Sequence, residues 1–265
     1  MEIISQRTTK WWQRIWASLI FFTRLPFWRI YQPPQACYQS VVEHWPLVGW
    51  LTGGVMAAII YFGSMVMPFS IAVLVAIISR IFITGALHED GLADFFDGFG
   101  GGGNDRERIL AIMKDSHIGT YGVLALILYF ALLYLTLLNM QPLRAALAVL
   151  AGDAYSKMLA GQIIMFLPYA RTEETAKNRT VYRKMSVTAG ISLFVQGILP
   201  LIPLLYIGLT NGTMRWELVI FVPCIVMYFL YYMMLRKIRG YTGDCCGALF
   251  LLIELSFYLT ILFQF

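Results

Sequence analysis

Residues 88–98, HEDGLADFFDG, place His88, Glu89, Asp90, Asp94 and Asp97 in one short segment directly behind two long apolar runs. Acidic groups are costly inside a bilayer, so a cluster of them at its edge marks a site that does chemistry or handles ions. Read as a helix at about 100° per residue, Asp90, Asp94 and Asp97 share a stripe roughly 60° wide. Carboxylates that close repel one another unless a cation lies between them. Hard oxygen donors at this density suit Mg²⁺ or Mn²⁺, not zinc. The alternative is a solvated helix end, against which Leu92, Ala93, Phe95 and Phe96 argue.

Further polar residues gather nearby. Gly100, Gly101, Gly102 and Gly103 form a run that reads as a hinge and matches no phosphate-binding loop. Asn104 can cap a helix through Asp105–Lys114. In MKDSHIGTYG (113–122), Asp115 and Ser116 offer oxygens, Lys114 and His117 offer donors, and Gly119 and Gly122 allow close backbone approach. GYTGDCCGA (240–248) sets Asp244 at the start of the last apolar run. Asp153 and Lys157, four apart, can pair on one helix face. The four cysteines show no metal-ligand spacing.

The elements that must position these groups are helices in a membrane. The chain is 59% hydrophobic and 13% charged, against about 25% charged in soluble domains. No polar stretch is long enough for a second core, so residues 1–265 read as a single integral-membrane domain. Apolar runs near 46–67, 70–87, 119–138, 143–167, 187–208, 217–235 and 247–264 are each long enough to cross roughly 30 Å of hydrocarbon. The expected fold is all-α, a polytopic bundle of about seven transmembrane helices. Ahead of it, residues 10–29 are amphipathic and rich in Trp and Arg, as in a helix lying in the interface and ended by Pro26, the alternative being a first, short spanning helix. With the N-terminus cytoplasmic, sixteen of the twenty Lys and Arg fall in inner segments, while the outer loops hold only Arg144 and Arg215. This bias puts the acidic motif on the cytoplasmic side.

Carboxylates with a divalent metal, beside basic loops such as 169–184, are the means of phosphoryl-group chemistry, in which positioning and charge neutralisation lower the barrier. A cation- or proton-coupled transporter also uses intramembrane carboxylates. Clustering of the acids at one face, together with Gly-rich and basic loops, favours the enzyme.

Three segments carry a resemblance. The pattern H-x-D-G-L-A-D-x-x-D-G is met by His88, Asp90, Gly91, Leu92, Ala93, Asp94, Asp97 and Gly98. The pattern M-[KR]-D-S-x-x-G-x-x-G is met by Met113, Lys114, Asp115, Ser116, Gly119 and Gly122. The pattern T-G-D-x-x-G-A is met by Thr242, Gly243, Asp244, Gly247 and Ala248. With FFTRLPFWR (21–29), PLVGWLTGG (46–54) and YAR (169–171), the chain resembles the cobalamin synthase (adenosylcobinamide-GDP ribazoletransferase) family from about residue 16 to 256. DFFDG (94–98) also echoes the CDP-alcohol phosphotransferases, without the Ala-Arg that follows there.

The cobalamin synthase resemblance implies a Mg²⁺-dependent enzyme of the bacterial cytoplasmic (inner) membrane, with its site facing the cytoplasm. It would join adenosylcobinamide-GDP to α-ribazole or its 5′-phosphate and release GMP. It further implies Asp90, Asp94, Asp97 and Asp115 as metal ligands, and a proton acceptor among His88, Asp94 and Asp97. Lys114, Ser116, Lys157, Arg171 and Asp244 would meet substrate. Beyond substrates and lipid no nucleic acid is expected, and assembly into a homo-oligomer is compatible with the sequence.

Overall fold

A computed structural model describes residues 9–171, 182–211 and 214–264, and among these it is all-helical. Of the basic loop 169–184, residues 172–181 lie outside the described residues, as do Met1–Thr8 with Arg7. The helices are α1 (Trp11–Phe22), α2 (Trp45–Gly63), α3 (Phe69–Thr84), α4 (Leu87–Gly101), α5 (Arg106–Lys114), α6 (Thr120–Leu138), α7 (Pro142–Gly161), α8 (Ile163–Phe166), α9 (Val187–Ile198), α10 (Leu201–Asn211), α11 (Trp216–Lys237) and α12 (Gly243–Leu262). Short 3₁₀ turns cover Phe27–Arg29 and Gln35–His44. A lone bridge joins Tyr169 to Tyr241.

Four of these helical stretches are long and apolar enough to cross a membrane: Gln35–Gly63, α6, α11 and α12. Two bent pairs, α3 with α4 at 88° and α9 with α10 at 46°, raise the number to six if each pair is one span. The sequence reading of seven also counted 143–167, which contains α7. That helix is rich in alanine and carries Asp153 and Lys157 in its middle, so its apolarity falls short. Its residues from Ala151 to Gly161 are nevertheless all buried. A helix buried all round belongs to the centre of a bundle, where it faces protein. α2 and α12 pack along it, with α9 beside them.

Local chemistry explains where the elements break. The α3–α4 bend falls on two successive left-handed residues, Gly85 at φ +66° and Ala86 at φ +57°. The first is natural for glycine; the second costs a non-glycine residue about 1–2 kcal/mol. Pro200, between α9 and α10, cannot continue the helical hydrogen bonding. α1 stops at Phe22, earlier than the expected stop at Pro26, and the Arg24 N–H instead donates to the Ile83 carbonyl at 2.7 Å. Asp105, one residue beyond the expected Asn104, caps α5 through the N–H groups of Glu107 (3.0 Å) and Arg108 (3.3 Å). Gly100 and Gly101 belong to α4, so the hinge expected there is shortened to Gly102 and Gly103.

α4 lies against the start of α12 at a crossing that only glycine allows. A Cβ on Gly91 would stand 2.9 Å from the Asp244 carbonyl oxygen, and one on Gly247 would stand 3.1 Å from that of His88. Two backbones therefore touch where the first and third motifs meet.

Candidate active site

The 88° bend turns α4 so that His88 and Asp90, at its first turn, face the loops at 169–171 and 240–244. There a cleft with about 910 Å³ of empty space, including its open mouth, is lined by His88, Asp90, Arg171 and Asp244. Its other walls are largely aromatic and apolar: Phe21, Phe22, Trp45, Leu87, Tyr169 and Tyr182. Four of the residues singled out in the sequence, from three separate segments, thus share one cavity. Thr242 caps α12 by accepting the Cys245 N–H at 3.3 Å, which leaves Asp244 in the first turn, where the helix dipole favours an anion.

The aspartates differ in their surroundings. Asp90 is exposed, Asp94 half-buried and Asp97 buried. Asp97 Oδ2 accepts the Gly119 N–H at 2.7 Å and Oδ1 the Gly122 N–H at 2.9 Å. It ties the end of α4 to the first turn of α6, and the two glycines of the second motif supply the N–H groups. Asp115 stands apart on the connection between α5 and α6, exposed beside Ser116, and does not line this cleft. Its Oδ1 lies 2.6 Å from His117 Nδ1. That hydrogen bond raises the His117 pKa above its ordinary value and lowers that of Asp115.

His88 is 2% exposed. Its ring stacks with Phe22 at 6.3 Å and Trp45 at 5.8 Å and meets Phe250 edge-on at 4.8 Å. Its Nε2 has no hydrogen-bond partner among the described residues. Lys157 does not reach the cleft. It is buried, pairs with Asp153 as its spacing foretold, and sits 3.7 Å over the Phe250 ring. Thr52 donates to the same Asp153 at 2.7 Å.

A second polar cluster, not anticipated from the sequence, lies beneath α4. Arg80 on α3 donates to both oxygens of Glu254 on α12 (2.7 and 2.6 Å) and to the Tyr129 hydroxyl on α6 (2.7 Å). Tyr258 donates to Glu254 at 2.7 Å, and Glu89 Oε1 lies 3.9 Å from the guanidinium. The signal was present in the sequence: a lone Arg and a lone Glu in apolar helices each require a partner.

α5 is tied to the segments at 170–171 and 238. Arg106 donates to the Ile238 carbonyl at 2.9 Å and the Ala170 carbonyl at 2.7 Å, and Arg171 donates to the Leu110 carbonyl at 3.0 Å. Burial pushes the Tyr169 phenol up to about 12.

Whether these residues suit Mg²⁺ turns on their donors. Among the described residues, no group of three or more His, Cys, Asp or Glu side chains converges to hold an ion. Mg²⁺, however, is commonly held by one or two carboxylates, with substrate phosphates and water completing the shell. Asp90 and Asp244 on one cleft, with Asp94 a turn from Asp90, meet that description.

Long apolar helices with a cleft of acidic and basic side chains fit a multi-pass membrane protein that handles a charged group. Residues 14–262 match the family model described as cobalamin-5-phosphate synthase. Proteins named adenosylcobinamide-GDP ribazoletransferase are similar along nearly the whole chain. That of Leptospira interrogans is 34% identical over 94% of this chain and 95% of its own. That of Shewanella frigidimarina is 34% identical over 96% of each, and that of Ralstonia pickettii is 34% identical over 89% and 90%. No solved structure matches. The chain belongs to the cobalamin-5-phosphate synthase family.

Proposed function

We propose that this protein transfers the adenosylcobinamide-phosphate moiety of adenosylcobinamide-GDP to α-ribazole or its 5′-phosphate, releasing GMP, in a Mg²⁺-dependent reaction at the cytoplasmic face of the inner membrane. The observation that carries this reading is the meeting of His88, Asp90, Arg171 and Asp244 in one cleft of a chain that belongs to this family.

Asp90, Asp94 and Asp244 would hold the metal with the donor's diphosphate, and the metal would neutralise charge as the phosphorus–oxygen bond breaks. Arg171, fixed by Leu110, pairs with a phosphate oxygen from the opposite wall. The ribazole hydroxyl attacks the phosphorus that carries cobinamide. A new P–O bond forms to ribazole, the bond to GMP breaks, and GMP leaves with its own phosphate. His88 would accept the hydroxyl proton through Nε2, which is buried and has no hydrogen-bond partner among the described residues. The Phe21, Phe22 and Trp45 wall keeps water from the reacting phosphorus. Asp97 acts through α6, setting the register of the second motif against the first.

We read seven crossings: the four stretches of suitable length and apolarity, α3, α7, and α9 with α10 as one bent span. The charge bias of the loops supports a cytoplasmic N-terminus. α4, turned by 88° from α3, then lies along the inner face with its acids at the water boundary.

The test is product analysis. Membranes bearing the protein, given adenosylcobinamide-GDP, α-ribazole phosphate and Mg²⁺, should release GMP detectable by mass, and EDTA should stop the release. Intact adenosylcobinamide-GDP would sink the transfer, and indifference to EDTA would sink the metal requirement.

A further inference from the structure

Next to the acidic cleft lies a second cleft, with about 1050 Å³ of empty space including its open mouth. The two share Tyr169 and Arg171 as a common wall. Beyond that wall the chemistry changes. The second cleft carries Arg106, Lys114 and Arg171 against the single acid Glu107, which pairs with Arg106 at 3.2 Å and has a side chain 87% exposed. The guanidinium groups of Arg106 and Arg171 are held in place by bonds to the Ile238, Ala170 and Leu110 carbonyls. Lys114 ends α5, is exposed, and forms no hydrogen bond or ion pair among the described residues.

We infer that this second cleft binds the terminal phosphomonoester of the acceptor nucleotide. The inference rests on the transfer reading above, which supplies the two substrates. A phosphate that reacts is well served by a metal, and therefore by carboxylates, beside it. A phosphate that is only held needs cations and N–H donors and is repelled by acids. The acidic cleft fits the first kind and the basic cleft the second. In the transfer, the donor's two phosphates form the diphosphate that is cut. The phosphate left over is the 5′-phosphate of the acceptor, some atoms away from the attacking hydroxyl on the same sugar. The shared wall of Tyr169 and Arg171 lets one nucleotide span both clefts, hydroxyl toward Asp90 and phosphate toward Lys114.

The test compares kcat/KM for α-ribazole phosphate and for α-ribazole. The wild type should prefer the phosphate. Lys114→Ala should reduce that preference about tenfold, the scale of one charge-assisted bond. Lys114→Glu should abolish it, and Lys114→Arg should largely keep it. An unchanged preference in Lys114→Ala, or a rise confined to the KM for adenosylcobinamide-GDP, would overturn the assignment, the latter giving the cleft to the donor. A wild type that releases no GMP with either acceptor would instead overturn the transfer reading beneath it.

Discussion

The polar residues of the first motif sit in different surroundings, from exposed Asp90 to buried Asp97 and His88. Asp94, half-buried a turn from Asp90, should be indispensable. Asp94→Asn should abolish GMP release while the protein still inserts and purifies, and wild-type turnover in that variant removes Asp94 from the site. His88→Ala should lower kcat about 10²–10⁴-fold, the usual worth of a positioned proton acceptor. A kcat within threefold of wild type would assign the proton elsewhere. The exposed Asp115–His117 pair is a local reporter. His117 is raised above the ordinary value of about 6.5, so its pairing is complete in acid and lost as pH rises through the raised value. Asp115 is lowered, so its share is lost as pH falls through the lowered value. A His117 NMR titration should therefore have its midpoint above the ordinary histidine value and return to it in Asp115→Asn. If Asp115 also bound Mg²⁺, saturating Mg²⁺ would lower the midpoint in the wild type; an unchanged midpoint leaves Asp115 outside the metal shell.

At the scale of helices, the site depends on two backbones in contact and on a buried charge clamp. Gly91→Val should press on the Asp244 backbone, cost about 1–3 kcal/mol and reduce turnover by more than tenfold. Equal turnover would show that the α4–α12 approach is not needed. Arg80→Met leaves Glu254 and Glu89 buried and uncompensated, which should cost about 3–5 kcal/mol, and Arg80→Met with Glu254→Leu should recover the part due to Glu254. Thermal unfolding in detergent reads both, and additive losses in the double variant would contradict the clamp. These features mark the limit of sequence reading. The helix over the acidic motif was legible from its spacing, and the Asp153–Lys157 pair from its interval of four. The sharp turn before α4 was not, because it rests on Ala86 adopting a left-handed conformation that its side chain disfavours. The depth of Lys157 was hidden too: periodicity gives the face of a helix, not what covers it. Asp97 read as a ligand because nothing local shows that the N–H groups of Gly119 and Gly122 reach it.

For the whole molecule, the apolar runs told the class of fold, while the meeting of residues 88–90, 169–171 and 243–247 in one cleft is a product of packing. Orientation is open to a direct check: in sealed cells, Lys114→Cys should be labelled only from the cytoplasmic side and Asn139→Cys only from outside. The reverse pattern would put the site in the wrong compartment for a cytosolic nucleotide donor. The most direct measurement of the central claim is an experimental density map of the protein with adenosylcobinamide-GDP and Mg²⁺. The account predicts the diphosphate between Asp90, Arg171 and Asp244, with the nucleotide lying toward the loops. A diphosphate bound away from that cleft, or outside the bundle altogether, would contradict it.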